Sequence, residues 1–515
     1  MRCACGDHRF DALAARVAAN PRDADAAFDL AAAAGPIRRE ATALPLVAAA
    51  ARAVGNDPAL WQWAALLHRA LDDNVAAVAA FERAARLNPN DARIAHGQAL
   101  AALDLGRPAT ALFDRARRLA PSDGDILLGI AHARHADGDL VGAIAGLDAL
   151  LVQHPGWLPG HHLAAHLRWL AGDRAGFTAS LERALLAVPR DQGLWHALIL
   201  LLLQAEAHER VLDAIRRGRA AAGPQLFFDA NEAAAAAELG DIATADRIFA
   251  AIGEIDDMPF TVRRVRHLLR SGRIEQAAAL AERWTRRPDA NLIWPYAGLA
   301  WRLLGDPRWQ WLEGDERLVG ILDIGGALPS LDALADCLRG LHGDRQEQLD
   351  QSVRGGTQTR GVLFARAEPQ IRALRAAIVE AVTAHIAQLP PHDAAHPLLG
   401  APRPRAIRFS GSWSVRLGAQ GHHSSHIHPA GWLSSAFYAA LPSLEQRGAQ
   451  PAGWLALGVP EPALGLELPP TRLIEPKPGR LVLFPSTMWH GTIPFDRGER
   501  LTVAFDVAPG LAEEG

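Results

Sequence analysis

Residues 58–89 read PALWQWAALLHRALDDNVAAVAAFERAARLNP, and this stretch decides how the long N-terminal part of the chain is read. Trp61, Ala64, Ala65 and His68 fall on one face at helical spacing, and Ala77, Phe81 and Ala84 form a second such face before Pro89. Two short amphipathic helices are predicted, joined by a tight turn. Working outward, prolines recur at Pro89, Pro121, Pro155 and Pro189, at intervals of 32, 34 and 34 residues, and again at Pro288. Glycines recur in a second phase at Gly106, Gly138, Gly172, Gly240, Gly272 and Gly305, and the wide gap after Gly172 is 68 residues, twice 34. One glycine and one proline per period imply two helices per period, with glycine closing the first helix and proline opening the next unit. Ala109, Phe113, Ala116 and Pro121 repeat the second half of the pattern. A single helix pair cannot bury its apolar face, so successive pairs must stack into a continuous core.

These residues resemble the tetratricopeptide repeat, in which small side chains let paired helices approach and an aromatic fills the gap between them. The resemblance covers roughly residues 22–310, is looser after Pro189, and leaves room for seven or eight helix pairs; His68 stands where the family usually has tyrosine. It implies an α-solenoid over 1–310 whose groove accepts an extended or helical peptide. The tryptophans and leucines of this part are read as core. His68, His96, His161, His162 and His166 are read as surface or satisfied-core residues.

The bulk properties narrow the classes. A chain of 515 residues suggests two to four domains, and 49% apolar residues is an ordinary globular load. A net charge of −4 and a pI near 6.6 argue against a general nucleic-acid binder. Three cysteines, Cys3, Cys5 and Cys337, cannot staple a secreted framework and point to a reducing cytoplasm. Cys3 and Cys5 with His8 match no common zinc spacing and are read as an N-terminal tail. The opening MRCACGDHRF has no apolar core of a signal peptide. The most apolar run, Leu194 to Leu203, is about half the ~20 residues a spanning helix needs, so a buried helix and no membrane partner are expected. The oligomeric state stays open.

Past WRLLGDPRWQWLEGDERL the period stops, which places a boundary near 310. VGILDIG and GTQTRGVLF read as strands, an amphipathic helix is predicted between Pro369 and Leu389 from Ile371, Leu374, Ile378, Val382 and Ile386, and short strands follow: RAIRFSGSWSVRL, SHIHP, WLSSAFYAAL, GRLVLFPS, MWHGTIP and RLTVAFDV. Evenly spaced short strands with glycine and proline between them suggest a jelly roll over 311–515, supported by helices, with its core at about 405–510. The fold class is therefore multidomain α + β.

Within that region GHHSSHIH places His422, His423, His426 and His428 close together. On a strand, side chains two apart share a face, so His426 and His428 are expected to enter one cavity. His490 ends RLVLFPSTMWH, and Arg500 follows ten residues later. Neutral imidazoles suit iron, zinc or copper, and three ligands leave coordination positions open for chemistry. An arginine nearby offers a planar fork for a carboxylate. His422 and His423 are read as loop residues, and Trp413, Trp432 and Trp489 either line a pocket or pack in the core.

The segment resembles the 2-oxoglutarate-dependent oxygenase superfamily, in particular the bacterial oxygenases that carry tetratricopeptide repeats, and is similar to prolyl hydroxylases. His426-x-His428 matches the family's His-x-acid pair, His490 the distal histidine and Arg500 the co-substrate arginine. Tyr438 falls where prolyl-hydroxylase-like members place a co-substrate tyrosine, and Thr502, two positions past Arg500, is grouped with these two. SVRGGTQT, Ser352 to Thr359, resembles a stretch that the repeat-bearing oxygenases keep ahead of the barrel; no role is assigned to it, and Arg354 is read as a loop anchor rather than a substrate contact. The resemblance covers about 300–515. It implies Fe(II) held by His426, His428 and His490, 2-oxoglutarate as co-substrate, O2 as oxidant, stimulation by ascorbate, and hydroxylation of a peptide or protein recruited by the repeats. His428 departs from the family, which has aspartate or glutamate there. A shifted register makes His428 the first ligand and puts Ala430 in the place of the acid, as in oxygenase-like halogenases, but leaves His426 without a role. Two rivals are a cupin-like three-histidine metalloenzyme without 2-oxoglutarate, for which Arg500 has no task, and a non-catalytic scaffold with a degenerate barrel.

Overall fold

The computed structural model describes residues 5–510 except 345, 350 and 405. Cys3, and the side chain of Cys5, lie outside the described residues, and so does any site built on that pair. The described residues divide into two compact units, one reaching to residue 146 and joined by 360–375, the other of residues 147–359 and 376–510.

From Pro58 to Leu304 the helices alternate as the punctuation implies. Pro58–Ala70 is followed by Asn74–Leu87, Ala92–Asp104 by Thr110–Leu119, Gly124–Ala136 by Leu140–Gln153, and so on to Met258–Arg270, followed by Ile274–Glu282. That makes seven complete pairs, with Ala24–Ala34 and Glu40–Val54 as an eighth in front. The apolar segment from Leu194 lies in the buried helix Gln192–Gln204, and among the described residues no helix is long and apolar enough to cross a membrane.

The turn inside each pair explains both the glycine rhythm and its gap. Gly106, Gly138, Gly172, Gly240, Gly272 and Gly305 all have positive φ, from +67° to +90°. Arg38, Asp72 and Glu206 occupy the same phase with φ of +52°, +60° and +54°. The left-handed helix cap is therefore present where the glycine is missing, at Glu206 between Gly172 and Gly240. The packing rule is equally regular. A side chain at Gly97 would meet the Phe81 ring at 2.4 Å, and one at Gly129 would meet the Phe113 ring at 2.1 Å, so these two buried phenylalanines each sit over the glycine of the next helix.

In the first unit, the later segment 360–375 packs against these helices. Arg360 donates to the carbonyl of His135 at 2.6 Å, Asn74 Nδ2 donates to the carbonyl of Ala365 at 3.1 Å, and Arg375 pairs with Asp72 at 3.3 Å.

The second unit contains all nine described strands: β1 Gly320–Asp323, β2 Val353–Gln358, β3 Phe409–His423, β4 Leu433–Ala440, β5 Leu455–Leu457, β6 Arg472–Ile474, β7 Arg480–Pro485, β8 His490–Thr492 and β9 Arg500–Val507. They form a six-stranded antiparallel sheet, β1-β7-β4-β9-β3-β2, and a three-stranded sheet, β6-β5-β8. The predicted helix appears as Pro369–Gln388. Two expectations need correction, and two strands were not foreseen. SHIHP is no strand: His426 makes one isolated bridge to His490, and the chain turns at once, with Gly431 N donating to the carbonyl of His428. The strand expected in GTQTRGVLF ends at Gln358, and Leu363–Ala365 is a 3-10 turn. β5 and β6, three residues each, carry too little alternation to be read from sequence.

Within the same unit the last helices grip the loops around the small sheet. Arg266 pairs with Glu461, and Arg302 donates to the carbonyls of Gly458 and, at 2.7 Å, Pro469. Trp489 Nε1 donates to the carbonyl of Pro295 at 3.2 Å, and its ring joins the core of Trp294, Tyr296, Trp301 and Leu464. Ile427 packs against that same cluster. The residue between the two histidines is thus an apolar anchor, which turns His426 and His428 to the opposite side.

Candidate metal centre

Three short pieces of backbone bring the imidazoles together. The bridge between His426 and His490 uses both backbone hydrogen bonds, each 3.0 Å, and His428 N donates to the carbonyl of Ser486 at 2.9 Å. The ring centroids are 4.2 Å apart for His426 and His490, 4.9 Å for His426 and His428, and 5.0 Å for His428 and His490. One ring nitrogen from each lies within 4.8 Å of the others.

The remaining nitrogens are all occupied, and this orients the set. His426 Nδ1 faces the carbonyl of Ser424 at 2.8 Å, and His490 Nδ1 faces that of Met488 at 3.0 Å. His428 Nδ1 faces both oxygens of Asp506, at 2.7 and 2.9 Å. Each acceptor fixes the proton on Nδ1 and turns the Nε2 lone pair inward, where that of His426 also meets Ser352 Oγ at 3.2 Å. Burial holds His490 well below its ordinary pKa, with repulsion from His426 and His428 added. Burial, and then His428, hold His426 down to about 3. Neutral rings with converging lone pairs are what a divalent cation requires.

The arginine lies further along the same interior face. Arg500, Thr502, Ala504 and Asp506 alternate on β9 and so share that face, spanning ~20 Å. Tyr438 stands opposite Thr502 and Ser434 opposite Asp506 on β4. Between these ends β4 and β9 carry the small residues Ala436 and Ala504, with Val482 of β7 opposite the first and Trp413 of β3 opposite the second. Arg500 is 2% exposed, and its guanidinium carbon lies 5.0 Å from the centre of the Tyr438 ring. One Nη donates to the carbonyl of Gly453 at 3.0 Å. Arg500 Nε and Tyr438 Oη are buried and make no hydrogen bond among the described residues. Burial lowers the Arg500 pKa and raises that of Tyr438. Unspent buried donors are costly, and a carboxylate is the group that would satisfy both. The residues present thus fit a 2-oxo acid chelating a metal at one end and anchored at the other. Thr502 turns its hydroxyl to the carbonyl of Val415, at 3.4 Å.

Other singled-out residues fall as follows. His423 Nδ1 is 3.1 Å from Ser352 Oγ, which also lies 3.2 Å from His426 Nε2. The SVRGGTQT segment thereby reaches the centre through its first residue, while Arg354 caps the carbonyls of Gln351 and Val353. His422 and His423 are not loop residues but end β3, opposite Arg354 and Val353 of β2, and His422 Nδ1 faces the carbonyl of Gln420. Trp413 lies against His428 with ring centroids 5.7 Å apart, whereas Trp432 and Trp489 are core residues with bonded indole N–H groups. Ala430 is exposed in the turn after Pro429. His161, buried in the helices, bonds Ser180 and the carbonyl of Pro155. Asp506, Ser434 and Ser352 escaped the sequence reading. The one signal for Asp506 was an acid inside the otherwise apolar end of RLTVAFDV.

Residues 411–506 match the model of the family described as "Putative 2OG-Fe(II) oxygenase", a span that includes all three histidines, Arg500 and Asp506. Among solved structures, similar chains include a tetratricopeptide repeat protein from Parabacteroides merdae, 16% identical, covering 43% of this chain and 88% of its own, with a TM-score of 0.32. YrrB, titled a TPR protein with an unusual peptide-binding site, is 19% identical over 36% of this chain and 97% of its own, with a TM-score of 0.29. MamA from Desulfovibrio magneticus is 16% identical over 33% of this chain and 97% of its own, also at 0.29. These similarities are too slight to carry an argument. No curated protein matches the chain.

Proposed function

We propose that the chain is an iron(II)- and 2-oxoglutarate-dependent hydroxylase of a polypeptide side chain. The observation that carries this reading is the pairing of three Nδ1-anchored imidazoles with a buried arginine and tyrosine that keep unspent donors at Arg500 Nε and Tyr438 Oη. His426, His428 and His490 would hold the metal through Nε2. Arg500 and Tyr438 would take the far carboxylate of the co-substrate, with Thr502 beside them. When bound, iron and 2-oxoglutarate supply the activation of dioxygen, the keto acid leaving as succinate and carbon dioxide.

The chain's own contribution is arrangement. Carbonyls of Ser424 and Met488 and the carboxylate of Asp506 keep the ring protons off the shared centre. Phe484, 4.6 Å from the His490 ring, and Trp413 beside His428 give the centre apolar walls, which would keep water from a bound co-substrate. We take the repeat array over 1–310 as the recruiting part and 311–515 as the catalytic part, because stacked helix pairs present extended surfaces suited to peptides.

The test is turnover without added substrate. Metal-stripped protein is given iron(II), ascorbate and labelled 2-oxoglutarate, and succinate is measured. Release in the wild type that disappears in Arg500→Ala supports the reading. A donor set of three histidines without a direct carboxylate also suits a metalloenzyme that ignores 2-oxoglutarate. Metal uptake with no response to the keto acid would favour that second reading, and no metal uptake would favour a scaffold.

A further inference from the structure

We propose that Asp506 is a positioning residue of the metal centre, whose carboxylate behind His428 supplies the negative charge that no direct ligand provides. The inference rests on the metal reading above. Its basis is an asymmetry among the three imidazoles. His426 and His490 lean on backbone carbonyls, which are neutral, while His428 alone leans on a carboxylate. The contact is two-pronged, at 2.7 and 2.9 Å, with side chains 18% and 13% exposed.

The carboxylate is itself held. Ser434 Oγ donates to Asp506 Oδ1 at 2.6 Å, and that hydroxyl lies 2.9 Å from Ser486 Oγ. The backbone of Ser486 accepts from His428 N, so the same turn fixes both ends of the histidine. Gly431 covers the network: a side chain there would meet Ser486 Oγ at 2.5 Å and Asp506 Cβ at 3.2 Å. A largely enclosed carboxylate held by these donors is fixed in place, so its charge stays directly behind the imidazole.

Charge explains the arrangement. Three neutral imidazoles leave a divalent cation uncompensated in an apolar interior. A carboxylate hydrogen-bonded to Nδ1–H keeps the proton on that nitrogen, limits rotation of the ring and raises the basicity of Nε2. His428 with Asp506 behind it would then act as an acidic ligand at one remove. Removing such a partner typically lowers metal affinity 10–100-fold. A purely structural Asp506 would instead tie β9 to β4 through Ser434 and leave the metal unaffected.

The experiment is an equilibrium titration of the full metal-free chain with cobalt(II), read by its visible absorption, beside thermal melting of the same metal-free proteins. Asp506→Asn keeps the shape and a hydrogen-bond acceptor but removes the charge. The expected result is a cobalt affinity about 10-fold weaker than wild type and a displaced absorption band, with little change in melting. Asp506→Ala should weaken binding further, and Ser434→Ala should leave it within about 3-fold. If Asp506→Ala does not fold, Asp506→Asn carries the test alone. Wild-type affinity and an unshifted band in Asp506→Asn, with His490→Ala unable to bind, would overturn this inference and leave the metal site standing. Wild-type protein that takes up no cobalt would overturn the metal reading itself, and the inference with it.

Discussion

The repeat array and the strand-built site store their information differently. In the helical part the backbone position matters more than the residue. The left-handed cap recurs at Asp72, Gly106 and Glu206 alike, and only the φ is shared. In the site each residue is individually required, and its partner is distant in sequence: 78 residues separate His428 from Asp506, and 74 separate His426 from Ser352. The array can lose one mark and keep its period. The site has no second copy of anything. Local, repeated contacts tolerate change because neighbouring pairs share the load, whereas a converging set of ligands depends on every member.

The largest effect that follows is at His490. Its replacement by alanine should weaken cobalt(II) or iron(II) binding by at least about 100-fold while leaving the metal-free melting temperature within a few degrees. Retained binding would show that the three rings do not act as a set. Next comes Phe113, fully buried over Gly129. Phe113→Ala should cost about 3–5 kcal/mol in chemical denaturation. Metal affinity should not move, and a coupled loss would break the distinction drawn here.

How far the sequence was legible follows the same division. Periodic glycine and proline made the helix pairs plain, and the gap at 206 was readable as a multiple of the period, but not that Glu206 would adopt the glycine's conformation, because one residue type rarely reports φ. His490 and Arg500 were legible because they flank a strongly apolar strand pair, and His426 and His428 because they lie two apart. The reason those two converge was not legible. It is Ile427 packing into the core of the last helices rather than the pleat of a strand. Asp506, Ser434 and Ser352 were out of reach, since their partners are fixed only by the order of strands in the sheet.

A third prediction concerns pH. Burial, then the charge of Arg416, holds His342 down to about 4, and burial does the same for His385 against a hydrogen bond to Leu318. Both rings stay neutral in the folded chain but would take up a proton on unfolding below about 6.5. Their contribution is therefore present in full above 6.5 and is lost as pH falls toward 4. Melting of the metal-free protein should drop more between pH 6.5 and 4.5 in the wild type than in His342→Gln/His385→Gln; equal drops would refute the assignment.

The smallest effect is at the cap. Glu206→Gly should stabilise by about 0.5–1 kcal/mol, because left-handed backbone strains a residue with a Cβ, and Gly172→Ala should destabilise by a similar amount. Opposite signs at two positions of one phase would sharpen the claim that backbone, not residue, defines the array. Equal signs would contradict it.

The central claim, that one interior face holds a metal at one end and a carboxylate at the other, is tested most directly by anaerobic titration of the iron(II)-loaded chain with 2-oxoglutarate, followed by the visible absorption a chelated keto acid gives iron(II). The account predicts a saturable band in the wild type, and in Arg500→Ala an unchanged iron content with keto-acid affinity weakened by roughly 100-fold. An iron-loaded wild type that gives no band, or an Arg500→Ala variant that chelates 2-oxoglutarate as tightly as wild type, would contradict it.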